Sequence, residues 1–451
     1  MGHGIAAVIF FVISLGITWL LWANTHAPTS LRLAPLTYSD PQFELRKSWG
    51  AYTPFFSVEE YIPPPEGCEI TQVSELQRHG ARFPTTGASI NIVSAVQKLK
   101  EADEYTHPVI EFLSSFVYTL GTNDLVPFGA QQSFEAGAVA YERYAHLFDA
   151  DNIPFVRASS GVRVVDSATN WTAGFAAASQ GIYHPALSVI LSEEGNNTLE
   201  SHMCPNAGSS DPQTDEWLEV YAPTITARLN SWAPGADLNN FETHALISLC
   251  AFHTAALGNP TTPSPFCDLF TPTEFAGFDY AADLDKYYHT GYGEPLGRVQ
   301  GVGYANELLA RLTRRPVHDG TQTNRTLDAD PATFPLDRVL YADFSHDNAM
   351  VACMAALGLF RQPCALSTVE PDPQRTWHTH AMVPFSGRMI VERLGCRGEQ
   401  FVRILVNDAL RPLEFCATNK TGTEICTLDA FVESQSYARS NGDGDWDKCF
   451  H

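Results

Sequence analysis

The chain has 451 residues, 28 basic against 51 acidic, for a net charge of −23, with 44% hydrophobic and 18% charged residues. That length buries a large core and makes more than one structural unit, and the composition is that of a globular protein. The acidic balance argues against nucleic acid and anionic membrane surfaces as partners, and it suits solubility in an acidic medium.

Ile5 to Trp22 is apolar apart from Ser14, Gly16 and Thr18, about long enough to cross a bilayer and long for a cleaved signal peptide. It is read as a signal anchor or signal peptide, with stalk, over residues 1–30, leaving the body outside the cell or held at its surface. A Pro- and Ser-containing stretch continues to about residue 45. Ten cysteines without a C-x-x-C pair suit an oxidising compartment better than zinc. Sequons at Asn170, Asn196, Asn324 and Asn419 are expected glycosylation sites.

From Trp49 the chain reads WGAYTPFF, then a turn-rich YIPPPEGC. Glu69 to Leu76 is an expected strand, and Ile90, Ile92, Val93 and Val96 fall at helical spacing after it. Between them lies QRHGARFPT, residues 77–85, in which His79 stands between Arg78 and Arg82. Guanidinium forks bind phosphate oxygens, and a neutral imidazole is a good nucleophile near its usual pKa. The motif sits where a strand ends, the usual place for a site in an open α/β sheet.

Residues 108–148 read as helical around a DLVPFGAQQ loop, and IPFVRA, 153–158, as a short buried strand. From 166 to 297 helical segments alternate with polar loops, which indicates an inserted, mainly α domain. RVQGVGYANELLARL, 298–312, is a helix; its GVG lacks the third glycine of a nucleotide loop. VLYADF, 339–344, is a second strand, followed by SHDN and a helical run. There His346 and Asp347 fall at a helix N-terminus, where an anion is favoured. VPFSGRMIVERL, 383–394, reads as an edge-like strand. His378 and His380 lack a third metal ligand, and NGDGDWDK does not fit a calcium loop, so no metal and no cofactor is expected.

RHGARFPT and LYADFSHDN together resemble the two signatures of the histidine acid phosphatases, and WGAYTPFF resembles a segment of the fungal phytases among them. The likeness runs from about Trp49 to the C-terminus. It implies a phosphoglycerate mutase-like α/β fold: a large domain with a central sheet flanked by helices, from 45–165 and 298–451, and a smaller inserted α domain, 166–297. It implies His79 as nucleophile and Asp347 as proton donor. Arg78, Arg82, Arg157 (in FVRASSGVR), His346 and Tyr52 are implied as substrate-binding residues, with Arg163 left as structural. It also implies the pairs Cys68–Cys396, Cys204–Cys449, Cys250–Cys267 and Cys416–Cys426. A fifth pair, Cys353–Cys364, is added as the remainder.

The expected reaction is hydrolysis of a small-molecule phosphate monoester by a monomer, through a phosphohistidine. The first expected substrate is phytate. However, TGASINIV after Thr85 has no basic residue before Lys98, and DLDKYY keeps the single Lys286 where related phytases show a pair. A broad-specificity acid phosphatase is the alternative. An inactive phosphate-binding surface protein is a more remote one, as is a phosphoglycerate-mutase-like enzyme, which would need neither sequons nor paired cysteines.

Overall fold

Two runs of alternating and continuous apolar residues, CEITQVSELQR and LYADFS, form the adjacent central strands of a sheet. The computed structural model describes residues 45–258, 262–418 and 422–451. The expected N-terminal segment and Asn419 therefore lie outside the described residues. No described helix is long and apolar enough to cross a membrane.

In chain order the main elements are β1 (Cys68–Arg78), α1 (Thr86–Lys100), α2 (Pro127–Tyr144), β2 (Phe155–Ser159), α3 (Val162–Ala178) and β3 (Leu187–Leu191). Then follow α4 (Asp211–Tyr221), α5 (Pro223–Trp232), α6 (Asn240–Ala256), α7 (Pro272–His289) and α8 (Val302–Thr313). The chain closes with β4 (Leu340–Ser345), α9 (Asp347–Ala356), β5 (Arg388–Cys396), β6 (Glu399–Val406) and the two-residue strands β7 (Ala409–Leu410) and β8 (Cys426–Thr427). The sheet order is β3-β2-β4-β1-β5-β6-β7, with β8 also on β6; β3, β2, β4 and β1 run parallel and the rest are antiparallel. It is a mixed α/β fold with a central sheet flanked by helices.

The period of two along each strand decides which face a residue serves. Val73, Val156, Ala158, Leu340, Ala342 and Phe344 pack with Trp171 and Phe175 of α3. Leu76, Phe155, Tyr341 and Val391 turn the other way, toward Leu308 of α8 and Val351 of α9. A third cluster joins α1, α6 and Phe275 and Phe278 of α7. α1 begins where Thr85 accepts from the Ala88 amide, and α6 and α7 carry full capping boxes, Asn239 with Glu242 and Thr271 with Glu274. In α1, Ile92 and Val96 are buried as the spacing suggests, whereas Ile90 and Val93 face outward.

Three expectations change. The boundary at 166 falls inside α3, a helix that covers the sheet, and Leu187–Leu191 is the sheet's edge strand. The sheet's own elements thus run on to residue 191, because a five-residue strand carries too short a pattern to stand out among helices. The stretch read as an edge-like strand is internal: β5 pairs with β1 on one side and β6 on the other. The disulfides Cys68–Cys396, Cys204–Cys449, Cys250–Cys267 and Cys416–Cys426 form, but Cys353–Cys364 does not. Cys353 lies inside α9, turned into the core, while Cys364 is exposed in the loop beyond the helix. Burial raises the Cys353 thiol far above its ordinary pKa, so it is inert. A thiol reagent should therefore label one cysteine, Cys364, in the native protein and a second, Cys353, only after unfolding; an unreactive denatured, unreduced protein would restore the fifth bridge.

Candidate active site

Each of the four parallel strands delivers a polar residue at its C-terminal end. β1 is followed by His79, and β4 by His346 and Asp347. β2 leads through Gly161 into Arg163 in the first turn of α3, and β3 leads to Glu193. Because Arg78 pairs with Ser345 in the β1–β4 register, the His79 amide donates to the Ser345 carbonyl at 3.1 Å. The two imidazole rings then stand 5.4 Å apart, edge to face. Glycine is required beneath them: a Cβ on Gly80 would lie 2.1 Å from the Gly129 carbonyl oxygen. That close approach lets the start of α2 pack against the His79 loop, where Gln132 accepts from the Ala81 amide and Ser167 from the Gly80 amide.

His79 Nδ1 is 2.8 Å from the Gly80 carbonyl oxygen. A carbonyl can only accept, so Nδ1 carries the hydrogen and Nε2 keeps its lone pair. Burial, with Arg78, His346, Arg82 and Arg163 nearby, holds the His79 pKa well below the ordinary value. Both features favour the neutral, nucleophilic ring. Arg78 is fixed by donating from Nη1 to the carbonyls of Ala51 and Val383, and its Nη2 lies 3.0 Å from Asp347 Oδ2. Lys286 Nζ of α7 reaches the same carboxylate at 3.2 Å and donates to Asn348 Oδ1. Burial alone would raise the Asp347 pKa; Arg78 and Lys286 outweigh it and hold the carboxyl well below its usual range.

These residues open into a cavity of about 680 Å³. Arg82, Arg163, His346, Asp347 and Lys286 line its inner end, with Tyr52 against Phe252 on one wall, ring centres 4.4 Å apart. The turn bearing Tyr52 is pinned to α7, because the Gly50 amide donates to Asp279 at 3.0 Å. Burial lowers the Arg82 pKa to about 10, still cationic at any working pH. The Nε donors of Arg78, Arg82 and Arg163 are buried without a hydrogen-bond partner. Such donors each cost roughly 1–3 kcal/mol unless an acceptor meets them, and an oxyanion is the natural one. A nucleophilic imidazole, three guanidinium groups, a second imidazole and a carboxylate at a helix start are the parts of a phosphoryl-transfer site.

Residues 69–407 match the family description of the histidine phosphatase superfamily, branch 2. The chain belongs to that family. It is 44% identical to a phytase A of Aspergillus terreus over 90% of this chain and 91% of that one, and 40% identical to a phytase A of Emericella nidulans over 98% and 99%. Among solved structures, the phytase from D. castellii shares the fold with a TM-score of 0.71 at 21% identity, covering 90% of this chain and 89% of that one. A Bifidobacterium longum multiple inositol polyphosphate phosphatase, solved with inositol hexasulfate, does so at a TM-score of 0.60 and 17% identity, over 85% and 96%.

Of the histidine phosphatase residues expected from the sequence, Asp347, Arg82, His346 and Tyr52 line this cavity, while His79 and Arg78 lie buried beside His346 and Asp347. Arg157 does neither. It lies mid-strand in β2 on the α8 face, 1% exposed, with Nε 2.8 Å from Asp343 and Nη2 2.5 Å from Glu307. Arg311 of α8 joins the same carboxylate of Asp343. The strand's alternation turns Arg157 under the sheet, whereas Arg163, passed over as structural, lines the cavity with Nη2 3.2 Å from His346 Nδ1. Glu193 and Glu200 were also missed; their carboxylates lie 3.2 and 3.1 Å from His346 Nε2. These two and His346 hold ligand atoms within 4.8 Å of one another, a spacing a metal could use. The Arg163 guanidinium against the same ring opposes a second cation there.

The two arginines separate cleanly by experiment. Arg163→Ala should lower kcat/KM at least about 10²-fold with little change in melting temperature. Arg157→Ala leaves Glu307 a buried charge without its cation and Asp343 with Arg311 alone, and should cost about 3–5 kcal/mol of stability. Calorimetric unfolding and steady-state kinetics of both variants decide it; the reverse pattern would return Arg157 to the site.

Proposed function

We propose that this histidine phosphatase is a phytase, an acid phosphomonoesterase that releases phosphate from myo-inositol hexakisphosphate through a phosphohistidine. The observation that carries the chemistry is the neutral, Nδ1-protonated His79 set among Arg78, Arg82, Arg163 and His346. The substrate reading rests on the 40–44% identity to fungal phytase A proteins across almost the whole chain.

His79 Nε2 attacks phosphorus in line with the leaving alcohol while the guanidinium groups and His346 hold the phosphoryl oxygens. Asp347 is ionised in the free site; as the substrate's negative charge draws on Arg78 and Lys286, the carboxylate takes up a proton from the acidic medium. It then protonates the leaving oxygen and, as carboxylate, activates the water that hydrolyses the phosphohistidine. No step in this sequence calls on a metal or cofactor. The four disulfides belong to an oxidising compartment. An N-terminal segment that carries the body outside the cell, cleaved or kept as an anchor, fits that compartment, as do glycans on the sequons.

A broad-specificity acid phosphatase remains the second reading, favoured by the cavity's charge. Its lining carries Glu193, Glu200, Asp211, Asp215, Asp285 and Asp347 against the fixed cations Arg82, Arg163 and Lys286. Phosphate release from phytate and p-nitrophenyl phosphate at equal concentration separates the two readings; preference for the aryl ester would demote phytate, and release from neither would end the enzyme reading.

Two outcomes test the roles. His79→Ala should abolish turnover, whereas Asp347→Asn should lose about 10²–10⁴-fold on alkyl phosphates and much less on the aryl ester. Because the His79 pKa is lowered, its protonation should not limit kcat/KM until well below the ordinary imidazole value of about 6.5. An acid limb near that value that titrates with His79 in the wild-type protein would contradict the neutral-nucleophile assignment.

A further inference from the structure

Arg78 meets Asp347 through Nη2, but its other terminal nitrogen is held by backbone: the Ala51 and Val383 carbonyls both accept from Nη1, the second at 2.7 Å. The two carbonyls belong to separate short segments. Ala51 lies in the turn Gly50–Tyr52, and Val383 closes a one-turn helix, Thr379–Met382. A single turn has too few internal hydrogen bonds to hold its own shape, so the direction of each carbonyl is set by what its segment is tied to.

Both segments are tied to one side chain. The buried Asp279 carboxylate of α7 accepts from the Gly50 amide at 3.0 Å, and both its oxygens lie 2.9 Å from His380 Nδ1. A carboxylate only accepts, so Nδ1 carries the hydrogen. Gly50 has φ +56°, and a Cβ there would stand 2.4 Å from that of Ala282, so glycine lets the turn come down on α7 far enough to reach Asp279. The Thr379–Met382 helix has further ties to α7: the Thr379 amide donates to Asp283 at 2.6 Å and Thr379 Oγ1 to the Ala282 carbonyl at 3.0 Å. Beyond α7 the two segments meet each other, where the Phe385 amide donates to the Thr53 carbonyl at 2.9 Å. Two helical turns after Asp279 stands Lys286, whose Nζ reaches Asp347. One face of α7 thus addresses both members of the Arg78–Asp347 pair, the carboxylate directly and the guanidinium through two carbonyls.

We propose that Asp279 is a positioning residue for the reaction, holding the Ala51 and Val383 carbonyls where they aim Arg78 at the phosphoryl group, a role that rests on the reading of Arg78 as a phosphoryl-holding group. Asp279 does not line the cavity and touches no reacting atom; its oxygens are occupied by Gly50 and His380. Without its carboxylate the turn and the one-turn helix shift against α7, and Nη1 follows its carbonyls or loses them. Nη2 then leaves its alignment with the phosphoryl oxygens and Asp347. The transition state depends on that alignment more steeply than ground-state binding does, so kcat falls while KM changes little.

The test is a double-mutant cycle read by hydrolysis of p-nitrophenyl phosphate. Asp279→Ala should lower kcat at least about tenfold and leave KM within about threefold of its starting value. In an Arg78→Ala background the same substitution should lower kcat less than about threefold, because the group it serves is gone. Equal losses in the two backgrounds, or an unchanged kcat in Asp279→Ala, overturn the proposal. Should Asp279→Ala fail to fold, His380, at the more open end of the network with 20% of its side chain exposed, gives a second reading. His380→Ala should lower kcat, and His380→Asn, whose Nδ2 takes the place of Nδ1 and donates to Asp279, should restore most of it. The same loss in both variants, or none in either, sinks the proposal. If Arg78→Ala alone leaves kcat unchanged, the reading of Arg78 as a phosphoryl-holding group fails and takes the proposal with it. A large loss in Arg78→Ala with additive losses from Asp279→Ala keeps that reading and removes only the positioning role.

Discussion

The parallel pairing of β1 with β4 is the constraint on which the site depends. Register Arg78 to Ser345 sets His79 beside His346, although helices α1 to α8 intervene in the sequence. A slip of one residue would turn Leu76 and Tyr341 from the α8–α9 core to the opposite face, so the apolar pattern that builds the core also holds the two imidazoles at 5.4 Å. β2 lies against β4, and its continuation into α3 brings Arg163 to the same end of the sheet. Core packing and catalytic geometry are therefore one specification here.

Charge is arranged in two layers on either side of that constraint. Under the sheet, Arg157 and Arg311 are matched by Asp343 and Glu307, and the pair of arginines holds Asp343 near a pKa of about 2 against its burial. At the strand ends the Nε donors of Arg78, Arg82 and Arg163 find no acceptor among the described residues, as does that of Arg311 beneath the sheet, but only the first three stand at the cavity. The first layer stabilises the fold only while every member is present. The second keeps unmet donors at the cost of some stability, the usual condition of a site that must exchange its own contacts for those of a ligand.

Most of this could be read from the chain because the motif residues stand directly at strand ends. There a local pattern of strand, polar turn and helix start marks both position and chemistry. Arg157 and Arg163 show the limit. Both follow an apolar run, and only the strand's true end, two residues after Arg157, decides which of them leaves the sheet. Glu193 and Glu200 escaped for a related reason: LSVIL is a short edge strand, and inside a region that otherwise reads as helical its end gives no signal. The one clue was LSVILSEE itself, a β-branched run closing on acidic residues. The pairing of Cys353 with Cys364 failed for lack of depth information, since a sequence separation says nothing about one thiol pointing inward and the other outward.

The same limit governs substrate choice. The cavity's described lining bears Asp211, Asp215 and Asp285 beside Arg82, Arg163 and Lys286, and Lys286 is already paired with Asp285 at 3.0 Å and Asp347 at 3.2 Å and donates to Asn348. A polyphosphorylated ring bound there must present its remaining phosphates to carboxylates across water. Against its burial, Lys286 and the hydrogen bonds with His289 and Ser210 hold the Asp285 carboxyl far below its usual range, so that part of the penalty persists in an acidic medium. A small ester with one phosphate brings no further phosphate to meet those carboxylates. Selectivity between the two thus resides in the cavity's carboxylates, while the reacting groups serve both alike.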